Sequence, residues 1–375
     1  MKKKIVFVGI SGGVDSAVSA ALLKEQGYDV VGVFIKTWHP DFLPCNEEEE
    51  RRDAMRVAAH LDIPFLTFDF EEVYKKSVAD YMIQEYKIGR TPNPDVMCNK
   101  EVKFGAFFER AISMGADFVA MGHYAQISTE VENTEVRPLE YPRSDLCILT
   151  SVLKKGLDPS KDQSYFLWNL KQEQLSKILF PIGNLKKNEV RKLAKKFNLP
   201  VAQKKDSQGL CFLGAIDIKE FLKHYIKSKK GKVLNEKGEI IGFHPGATFF
   251  TLGERHGFTI TQKGCQDNPY HIISKNIKNN TLAVSQDLNL FLNESLNKLK
   301  IYNLEKVNWI NEVPYSDKNY TAQIRYHGEF LDCRIEFFVS KKLAQITFTK
   351  PVLIASGQSC VIYDEDIVLG GGIVC

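Results

Sequence analysis

The sequence predicts an α/β fold, with helices on both faces of a parallel sheet, followed by two small all-β domains. The first third of the chain alternates apolar, β-rich runs with stretches of helical spacing, which is typical of parallel strands joined by helices. The last part, roughly 150 residues, consists of short alternating runs separated by turn signals. A chain of 375 residues is long enough for two or three domains. We expect boundaries at residues 1–222, 223–290 and 291–375.

The elements of the first domain follow one another with little interruption. The run Lys4–Gly9 is continuously apolar, as expected for a strand buried on both faces. A helix over Ser16–Gln26 ends at Gly27, a common C-terminal stop. The same criteria predict, in order, the strand Asp29–Ile35, the helix Glu47–Leu61, the strand Phe65–Phe70, a helix from Glu71, the helix Phe104–Met114, the strand Asp117–Met121 and the helix Lys186–Phe197.

Two local patterns complete the structural prediction. The four glutamates at 47–50 should form a solvated first helical turn, where negative charge suits the helix dipole. The character of the chain changes near Asp217–Lys230, and beyond it Asn235–Gly238 and Asn279–Asn280 are predicted hairpin turns.

The composition excludes several classes of protein. A charged fraction of 26% and a hydrophobic fraction of 44% describe a globular chain, not a disordered or fibrous one. No apolar stretch is long enough to cross a bilayer, and Gly12, Gly13 and Asp15 interrupt the first apolar run too early for a signal peptide. None of the eight cysteines has C-x-x-C spacing, so no metal site is predicted. We therefore expect a cytoplasmic protein without a membrane partner.

The strongest local motif is Ser11–Ser16 (SGGVDS), between the first strand and the first helix. Paired glycines allow a sharp turn and bring backbone amides close to a ligand, and a helix N-terminus favours phosphate. Asp15 could hold Mg²⁺, which prefers oxygen ligands. The alternative is a tight turn in which Asp15 or Ser16 caps the helix. The complete strand, loop and helix favour a phosphate site, although the spacing matches neither Walker A nor G-x-G-x-x-G.

A second motif places a carboxylate three residues before a thiol. The segment Thr91–Lys100 is expected to be a rigid loop held by its prolines, and it contains Asp95 and Cys98, close enough for acid–base cooperation if the loop turns there. Taken alone, Cys98 would better suit a buried structural thiol, because cysteine is among the residues most often buried. Another thiol, Cys211, follows a Lys204-Lys205 pair whose positive charge would lower a cysteine pKa.

These motifs resemble known families. SGGVDS after a first strand resembles the pyrophosphate loop (PP-loop) of N-type ATP pyrophosphatases, with an adenine nucleotide alpha hydrolase-like fold. TPNPDVMCN together with KDSQGLCFLG resembles the tRNA-specific 2-thiouridylase family. Further motifs of that family occur in the same order, namely GHYA at 122–125, KDQSYFL at 161–167, IRY at 324–326, GQ at 357–358 and LGGG at 369–372.

The resemblance implies ATP-dependent 2-thiolation of the wobble uridine (U34) of tRNA by a sulfurtransferase. ATP, with Mg²⁺, would adenylate O2 of the uridine, and Cys211 would carry a persulfide. Cys98 would act as nucleophile, with Asp95 as general acid/base. Sulfur could leave as free sulfide or pass directly from Cys211, with a transient disulfide to Cys98; low-pKa thiolates exchange in this way.

The resemblance also implies binding residues. For ATP these are Gly9, Ile10, Ser11, Gly12, Gly13, Val14, Asp15, Ser16, Ile35 and Gly122. For tRNA they are Asn93, Pro94, Asp95, His123, Lys161, Asp162, Gln163, Arg325, Tyr326 and Gln358.

Several of the tRNA assignments have plain structural alternatives. His123 could cap a helix, and Lys161–Gln163 could be a solvated polar turn. Arg325 and Tyr326 could be the outward and inward residues of one barrel strand.

The implied partners are tRNAs of the Lys, Glu and Gln anticodon type and a sulfur-donor protein, such as a cysteine desulfurase or a sulfur-relay protein. The sequence departs from the family at 250–257, where Glu254-Arg255-His256 replaces a Gln-Arg-Lys run and lowers the local positive charge. The segment Thr129–Leu149 is longer than usual in the family and is expected to be a mobile hairpin without a chemical role. Two other hypotheses are a different ATP pyrophosphatase and a non-catalytic RNA-binding protein.

Overall fold

The computed structural model describes residues 3–43, 45–131, 149–206, 217–261, 268–287, 291, 300–338, 340 and 342–375. Its strands are β1 (Ile5–Gly9), β2 (Asp29–Lys36), β3 (Phe65–Asp69), β4 (Phe118–Ala120), β5 (Ala125–Val131), β6 (Leu149–Lys155), β7 (Ile178–Leu179), β8 (Gly231–Leu234), β9 (Ile240–His244), β10 (Thr259–Ile260), β11 (His271–Asn276), β12 (Thr281–Ser285), β13 (Ile301–Trp309), β14 (Tyr320–Gln323), β15 (Leu331–Phe338), β16 (Leu343–Phe348), β17 (Ser359–Asp364) and β18 (Ile367–Val374).

The described α-helices concentrate in the first half of the chain. They are α1 (Val14–Glu25), α2 (Glu47–His60), α3 (Glu71–Tyr74), α4 (Tyr81–Lys87), α5 (Pro94–Met97), α6 (Phe107–Ser113), α7 (Gln172–Leu175), α8 (Lys187–Lys196) and α9 (Ile218–Lys223). Two π-helical segments, Lys75–Asp80 and Cys98–Ala106, join α3 to α4 and α5 to α6. Among the residues described, no helix has both the length and the apolar character needed to cross a membrane.

The first part of the chain forms a five-stranded parallel sheet in the order β3-β2-β1-β4-β7. On one face α1, α2 and α8 pack around a core that includes Ala17, Val57 and Val190. On the other face the second π-helix and α6 pack through Phe104 and Phe107. The strand order reverses between β1 and β4, which is where parallel α/β sheets bind ligands at the carboxyl ends of their strands.

The two β domains pack against this α/β unit. The central domain is a mixed sheet in the order β10-β9-β8-β12-β11, and its Phe221 and Val233 share a core with Met82 and Tyr86 of α4. The C-terminal domain is a barrel of β13-β16-β15-β14-β17-β18, closed by pairing of β13 with β18. The β5–β6 hairpin extends the barrel sheet beside β18. Both β domains therefore contact the α/β unit, the central domain at α4 and the barrel through the β5–β6 hairpin.

The structure confirms the predicted fold class and most of the predicted elements. The turns at Asn235–Gly238 and Asn279–Asn280 connect β8 to β9 and β11 to β12, with Gly238 and Asn280 at positive φ. The predicted helix Phe104–Met114 is wrong at its start, because helical backbone begins at Pro94 and passes through the π-helix. Asn93 caps this helix and Pro94 suits its first turn, so the prolines that indicated a loop instead start a helix.

The pairing of β5 with β6 was not predicted. These strands flank the long segment Thr129–Leu149, whose residues 132–148 lie outside the described part of the chain.

Candidate functional site

The Ser11–Ser16 loop is held in shape by two glycines and two serines. Gly12 has φ +72°, and a Cβ there would lie 2.5 Å from the backbone oxygen of Glu50, so only glycine is tolerated without displacing α2. The Ser16 hydroxyl accepts from the Ser11 amide at 3.2 Å and donates to the Gly13 oxygen at 3.2 Å. Gly13 precedes α1 and has no side chain to cap its first amides. The loop thus offers backbone donors at a helix N-terminus.

Gly122 and Gly9 bring β4 and β1 close to this loop. A Cβ on Gly122 would lie 2.8 Å from the Ser16 nitrogen, and a Cβ on Gly9 would lie 2.5 Å from the Met121 sulfur. The predicted nucleotide residue Gly122, more than a hundred positions from the loop, is therefore in direct contact with it.

A pocket opens beside the loop at the carboxyl edge of the sheet. It is lined by Gly9, Ile10, Ser11, Phe34, Ile35, Thr37, His39, Glu47, Glu50, Lys103 and Met121. Four residues predicted for ATP, namely Gly9, Ile10, Ser11 and Ile35, thus come together around one cavity. Sequence reasoning missed the charged residues that line it.

The predicted solvation of the acidic turn at 47–50 is wrong for two of its four members. Glu48 and Glu49 are exposed, but Glu47 and Glu50 are half-buried and face the pocket. Burial raises the pKa of Glu47 and of Glu50 above the usual glutamate value. Helical periodicity places residues 47 and 50 on one face, and the chain uses that face as a pocket wall.

Asp15 belongs to a charged network that sequence reasoning did not find. Its carboxylate accepts from the Tyr124 hydroxyl at 2.8 Å, and both of its oxygens accept from the Lys187 ammonium, at 2.7 and 2.9 Å. Lys187 also pairs with Asp206 at 3.0 Å, and Asp206 pairs further with Lys161 at 3.1 Å and with Arg191. The network joins the loop to α8 and to the chain just before residue 207.

The charges in this network set two pKa values. Burial alone would raise the pKa of Asp206, but its bonds to Lys187 and Lys161 outweigh burial and lower the pKa to about 2. Burial, and then the Asp15 carboxylate, raise the pKa of Tyr124, which keeps it a hydrogen-bond donor to Asp15. One sequence signal could have indicated that Lys187 pairs with an anion. Lys187 is the first residue of α8, where the helix dipole disfavours a cation unless an anion lies nearby.

The segment Thr91–Cys98 includes α5 and is named the base-side loop. Both β domains contact it. The Thr91 amide donates to the Ser356 oxygen of the barrel at 2.7 Å, and the hydroxyls of Thr91 and Thr251 lie 3.1 Å apart. Gly357 has φ +93°, and a Cβ there would lie 2.8 Å from the Thr91 nitrogen. The loop's position therefore depends on the assembled three-domain molecule.

Arg90, directly before this loop, is also fixed from two directions. Its guanidinium pairs with Glu85 at 2.8 Å and with Glu305 of the barrel.

Asp95 and Cys98 lie one turn apart, where α5 passes into the second π-helix. Asp95 is half-buried, whereas Cys98 is 1% exposed and belongs to the core beneath the loop. Cys211 lies within 207–216, outside the described residues. The catalytic roles of Asp95, Cys98 and Cys211 therefore stay predictions.

His123 is 6% exposed and lies between β4 and β5, so the alternative of a helix cap is wrong. Its ring is 5.7 Å from those of Phe104 and Phe180, measured between centroids. Burial, and then the charge of Lys103, hold the pKa of His123 well below its usual value. A neutral, enclosed imidazole results, and contact with tRNA stays a prediction.

All three members of the Lys161–Gln163 segment have partners within the protein, Lys161 through its ion pair with Asp206. Asp162 accepts from the amides of Gly156 at 2.8 Å and Ser164 at 3.0 Å, and Gln163 accepts from the Tyr124 amide at 3.1 Å. Burial raises the pKa of Asp162 in spite of these bonds. Lys161 is more exposed, with 38% of its side chain accessible. The segment lies next to Asp15, to which Gln163 is connected through Tyr124. The ammonium group of Lys161 is its part most accessible to a phosphate.

Arg325 and Tyr326 lie in the turn that follows β14, so the alternative of one barrel strand is wrong. Arg325 is exposed, and the Tyr326 ring packs 4.5 Å from that of Phe166. Burial, followed by the charges of Asp162 and Asp95, raises the pKa of Tyr326 to about 12. The turn therefore carries an exposed cation and a half-buried aromatic ring next to the base-side loop.

Gln358 adjoins the same region. Its side-chain oxygen accepts from the Ala355 amide at 3.2 Å, within the turn that presses Gly357 against Thr91.

The segment that departs from the family motif has a structural role at its first position. Glu254 accepts from the Thr251 amide at 3.1 Å and pairs with Lys219, while Arg255 and His256 are exposed. The carboxylate at 254 thus supports the turn that brings Thr251 to Thr91.

Comparison with known proteins covers almost the whole chain. Family models match residues 4–215 (tRNA methyl transferase HUP domain), 219–286 (tRNA methyl transferase PRC-barrel domain) and 300–374 (Aminomethyltransferase beta-barrel domain). The tRNA-specific 2-thiouridylase MnmA of Geobacillus thermodenitrificans is 42% identical over 373 residues, covering 98% of this chain and 94% of its own.

A second relative and one solved structure complete the comparison. The protein of the same name from Listeria monocytogenes serotype 4a is also 42% identical over 373 residues, with 98% and 94% coverage. The NMN synthetase structure from Francisella tularensis overlaps 55% of this chain and 66% of its own at 17% identity and a TM-score of 0.31, too low to bear on function.

Proposed function

The chain belongs to the tRNA-specific 2-thiouridylase family, and from that premise we propose how its residues carry out 2-thiolation of the wobble uridine of tRNA. Members of this family are ATP-using sulfurtransferases that modify tRNA. One observation best supports this assignment of roles to residues. Ser11 of the phosphate loop and Lys103 of the helix that begins at Cys98 line the same pocket. This shared pocket supports a common location for nucleotide activation and thiol chemistry.

ATP fits the first half of this site. The Ser11–Ser16 backbone would bind its phosphates at the N-terminus of α1, and Ile35 and Gly122 would border the nucleotide. The Asp15 carboxylate accepts a hydrogen bond from Tyr124 and pairs with Lys187. Its oxygens are the hard donors that Mg²⁺ prefers. We therefore propose Mg²⁺–ATP as the form bound.

The reaction proceeds in two stages. In the first, O2 of the uridine attacks the α-phosphorus of ATP, the bond to the bridging oxygen breaks and pyrophosphate leaves. In the second, sulfur from the Cys211 persulfide bonds to C2, and AMP leaves with the former O2. Cys98 attacks the inner sulfur of Cys211, forming a disulfide, either before C2 is attacked, which releases sulfide, or afterwards. Asp95 transfers the protons, and a reductant must then restore both thiols.

The tRNA would approach over the base-side loop and the turn after β14. Asn93, Pro94 and Asp95 would face the target base. Arg325 can neutralise a phosphate, and Tyr326 adds an aromatic surface. His123, Lys161, Asp162, Gln163 and Gln358 would line the approach. The proposed substrates are tRNAs of the Lys, Glu and Gln anticodon type.

The cellular setting is part of the same proposal. A sulfur-donor protein would load Cys211, and the reduced thiols that this requires suit a cytoplasmic enzyme. We propose the domains 1–222, 223–290 and 291–375; three separate family matches, to residues 4–215, 219–286 and 300–374, support a division into three domains.

The test combines the purified protein with unmodified tRNA, ATP, Mg²⁺ and a cysteine desulfurase. The proposal expects thiolated tRNA together with AMP and pyrophosphate from the wild-type chain, and no thiolated tRNA from Cys98→Ser or Cys211→Ser. Cys45→Ser, at an exposed cysteine, is the matched control and should retain full activity. Absence of thiolation with the wild type, or equal thiolation by either serine variant, would refute the mechanism.

A further inference from the structure

The nucleotide pocket has walls of opposite charge that come from opposite faces of the sheet. Glu47 and Glu50 belong to α2, which packs on the face shared with α1 and α8. Lys103 belongs to the second π-helix, which packs on the other face. Among the described residues that line the pocket, Lys103 is the only lysine or arginine.

This polarity orients an anionic nucleotide. The acidic wall does not attract phosphate, because its two carboxyl groups repel phosphate when ionised and burial favours their neutral forms, so that wall suits the uncharged part of a nucleotide. The loop amides and Lys103 attract phosphate instead. The charge of Lys103 also contributes to the lowered pKa of the enclosed His123, which shows that its field extends through the buried region beside the pocket.

Lys103 also connects the pocket to the base-side loop. It lies five residues after Cys98, which is one i→i+5 turn of a π-helix. The same helical segment begins one turn after Asp95. A phosphate that contacts Lys103 therefore lies on the side of the pocket from which a target base would arrive, whereas phosphates on the loop lie toward α1.

We infer that Lys103 is a catalytic residue of the adenylation step, contacting the α-phosphate while uridine O2 attacks it. This role rests on the proposed function. As the O2–phosphorus bond forms and the bond to the bridging oxygen breaks, the ammonium stabilises negative charge on the non-bridging α-oxygens. Pyrophosphate takes the electron pair of the broken bond. A charge placed in advance at this position acts more on the transition state than on ATP binding.

The experiment compares Lys103→Gln, Lys103→Arg and Lys100→Gln with the wild type. Lys100 lies on the same π-helix, is 44% exposed and pairs with Glu101 at 3.0 Å, so it matches Lys103 in charge and helix but not in position. Two quantities are measured: tRNA-dependent release of pyrophosphate in a single turnover, and ATP affinity by equilibrium titration. Circular dichroism verifies folding of each variant.

Lys103→Gln should slow pyrophosphate release by about 100-fold or more, the size found on removing one group that stabilises transition-state charge. ATP affinity should change by less than about tenfold, because the loop holds the other phosphates. Lys103→Arg should recover part of the rate, and Lys100→Gln should remain near wild type. If Lys103→Gln fails to fold, the ratio of rate to affinity in Lys103→Arg decides the question in the same way.

Three results would overturn the inference. One is wild-type pyrophosphate release by Lys103→Gln, another is an equal loss in Lys100→Gln, and the third is a rate loss explained entirely by weaker ATP binding. If the wild-type chain itself releases no tRNA-dependent pyrophosphate, the proposed function fails, and the role of Lys103 fails with it.

Discussion

The phosphate loop and the base-side loop are held in place in different ways. The Ser11–Ser16 loop is fixed by its own serines and by neighbours within the α/β unit, such as Gly122 and the α2 backbone. The base-side loop is fixed through Thr91 by Thr251 of the central domain and by Ser356 and Gly357 of the barrel. Under the proposed function, nucleotide binding would therefore be local to one domain, whereas presentation of the target base would require all three.

Gly12→Ala should give the largest difference between the effect on ATP affinity and the effect on tRNA affinity. The new Cβ would lie 2.5 Å from the Glu50 oxygen at φ +72°, and the left-handed backbone alone costs about 1–2 kcal/mol. Because the loop must shift to relieve this contact, we expect ATP affinity to fall by about tenfold or more, with tRNA affinity unchanged. Equilibrium titration with each ligand measures both.

Gly27→Ala is the matched control for that variant. Gly27 has φ +90°, but nothing lies within 4 Å of its Cβ position, so only the backbone strain applies. Equal loss of ATP affinity in both variants would mean that general destabilisation, and not the loop geometry, causes the effect.

Gly357→Ala should produce the opposite pattern. Its Cβ would lie 2.8 Å from the Thr91 nitrogen and 2.9 Å from the Arg90 Cβ, which displaces the base-side loop. We expect single-turnover thiolation to fall by about tenfold, a cost of about 1.4 kcal/mol, with ATP affinity retained. Gly238→Ala, at φ +82° with no neighbour within 4 Å, is the control. A parallel loss of ATP affinity in Gly357→Ala would contradict the separation of the two loops.

Thr251→Val tests the weaker of the two domain contacts. It removes the hydroxyl that lies 3.1 Å from that of Thr91, and one neutral hydrogen bond contributes about 1 kcal/mol. Thiolation should fall about fivefold. In a double-mutant cycle with Thr91→Val, the combined variant should lose little more than either single variant. Additive losses would show that the two hydroxyls act independently.

The smallest effect concerns stability against pH. The pKa of Asp206 in the folded protein is about 2, below about 3.9 in an unfolded chain, so its ion pairs stabilise the fold above pH 4 and lose that effect as pH falls toward 2. Asp206→Asn should therefore lower the melting temperature at pH 6 and reduce the difference from wild type between pH 4 and 2. A constant difference across that range would exclude the ion pairs as the cause.

The strand, turn and helix around Ser11–Ser16 could be predicted from the sequence because they depend on neighbouring residues. Strand, glycines and helix follow one another within Lys4–Gln26, so local geometry is enough to place backbone donors. The resemblance to a family then added Ile35 and Gly122, which the structure brings to the same place.

The charged partners could not be predicted in this way, because they arrive from distant parts of the chain. Lys187 is 172 residues from Asp15, and nothing in its local sequence names its partner. Glu47 and Glu50 have the pattern of a solvated turn, and only the packing of α2 against Gly12 places them at the pocket. From the sequence alone, the prolines at 92 and 94 indicate a loop. The helix cap formed by Asn93 is not evident without knowing where the helix begins.

The most direct test of separate nucleotide and thiol functions uses Cys98→Ser with unmodified tRNA and ATP labelled at the α-phosphate. The account predicts that label is transferred to tRNA and pyrophosphate is released, because the nucleotide pocket is intact, while no thiolated tRNA forms. Thiolation at the wild-type rate would contradict the role of Cys98. Failure to label tRNA would contradict the independence of the two halves of the site.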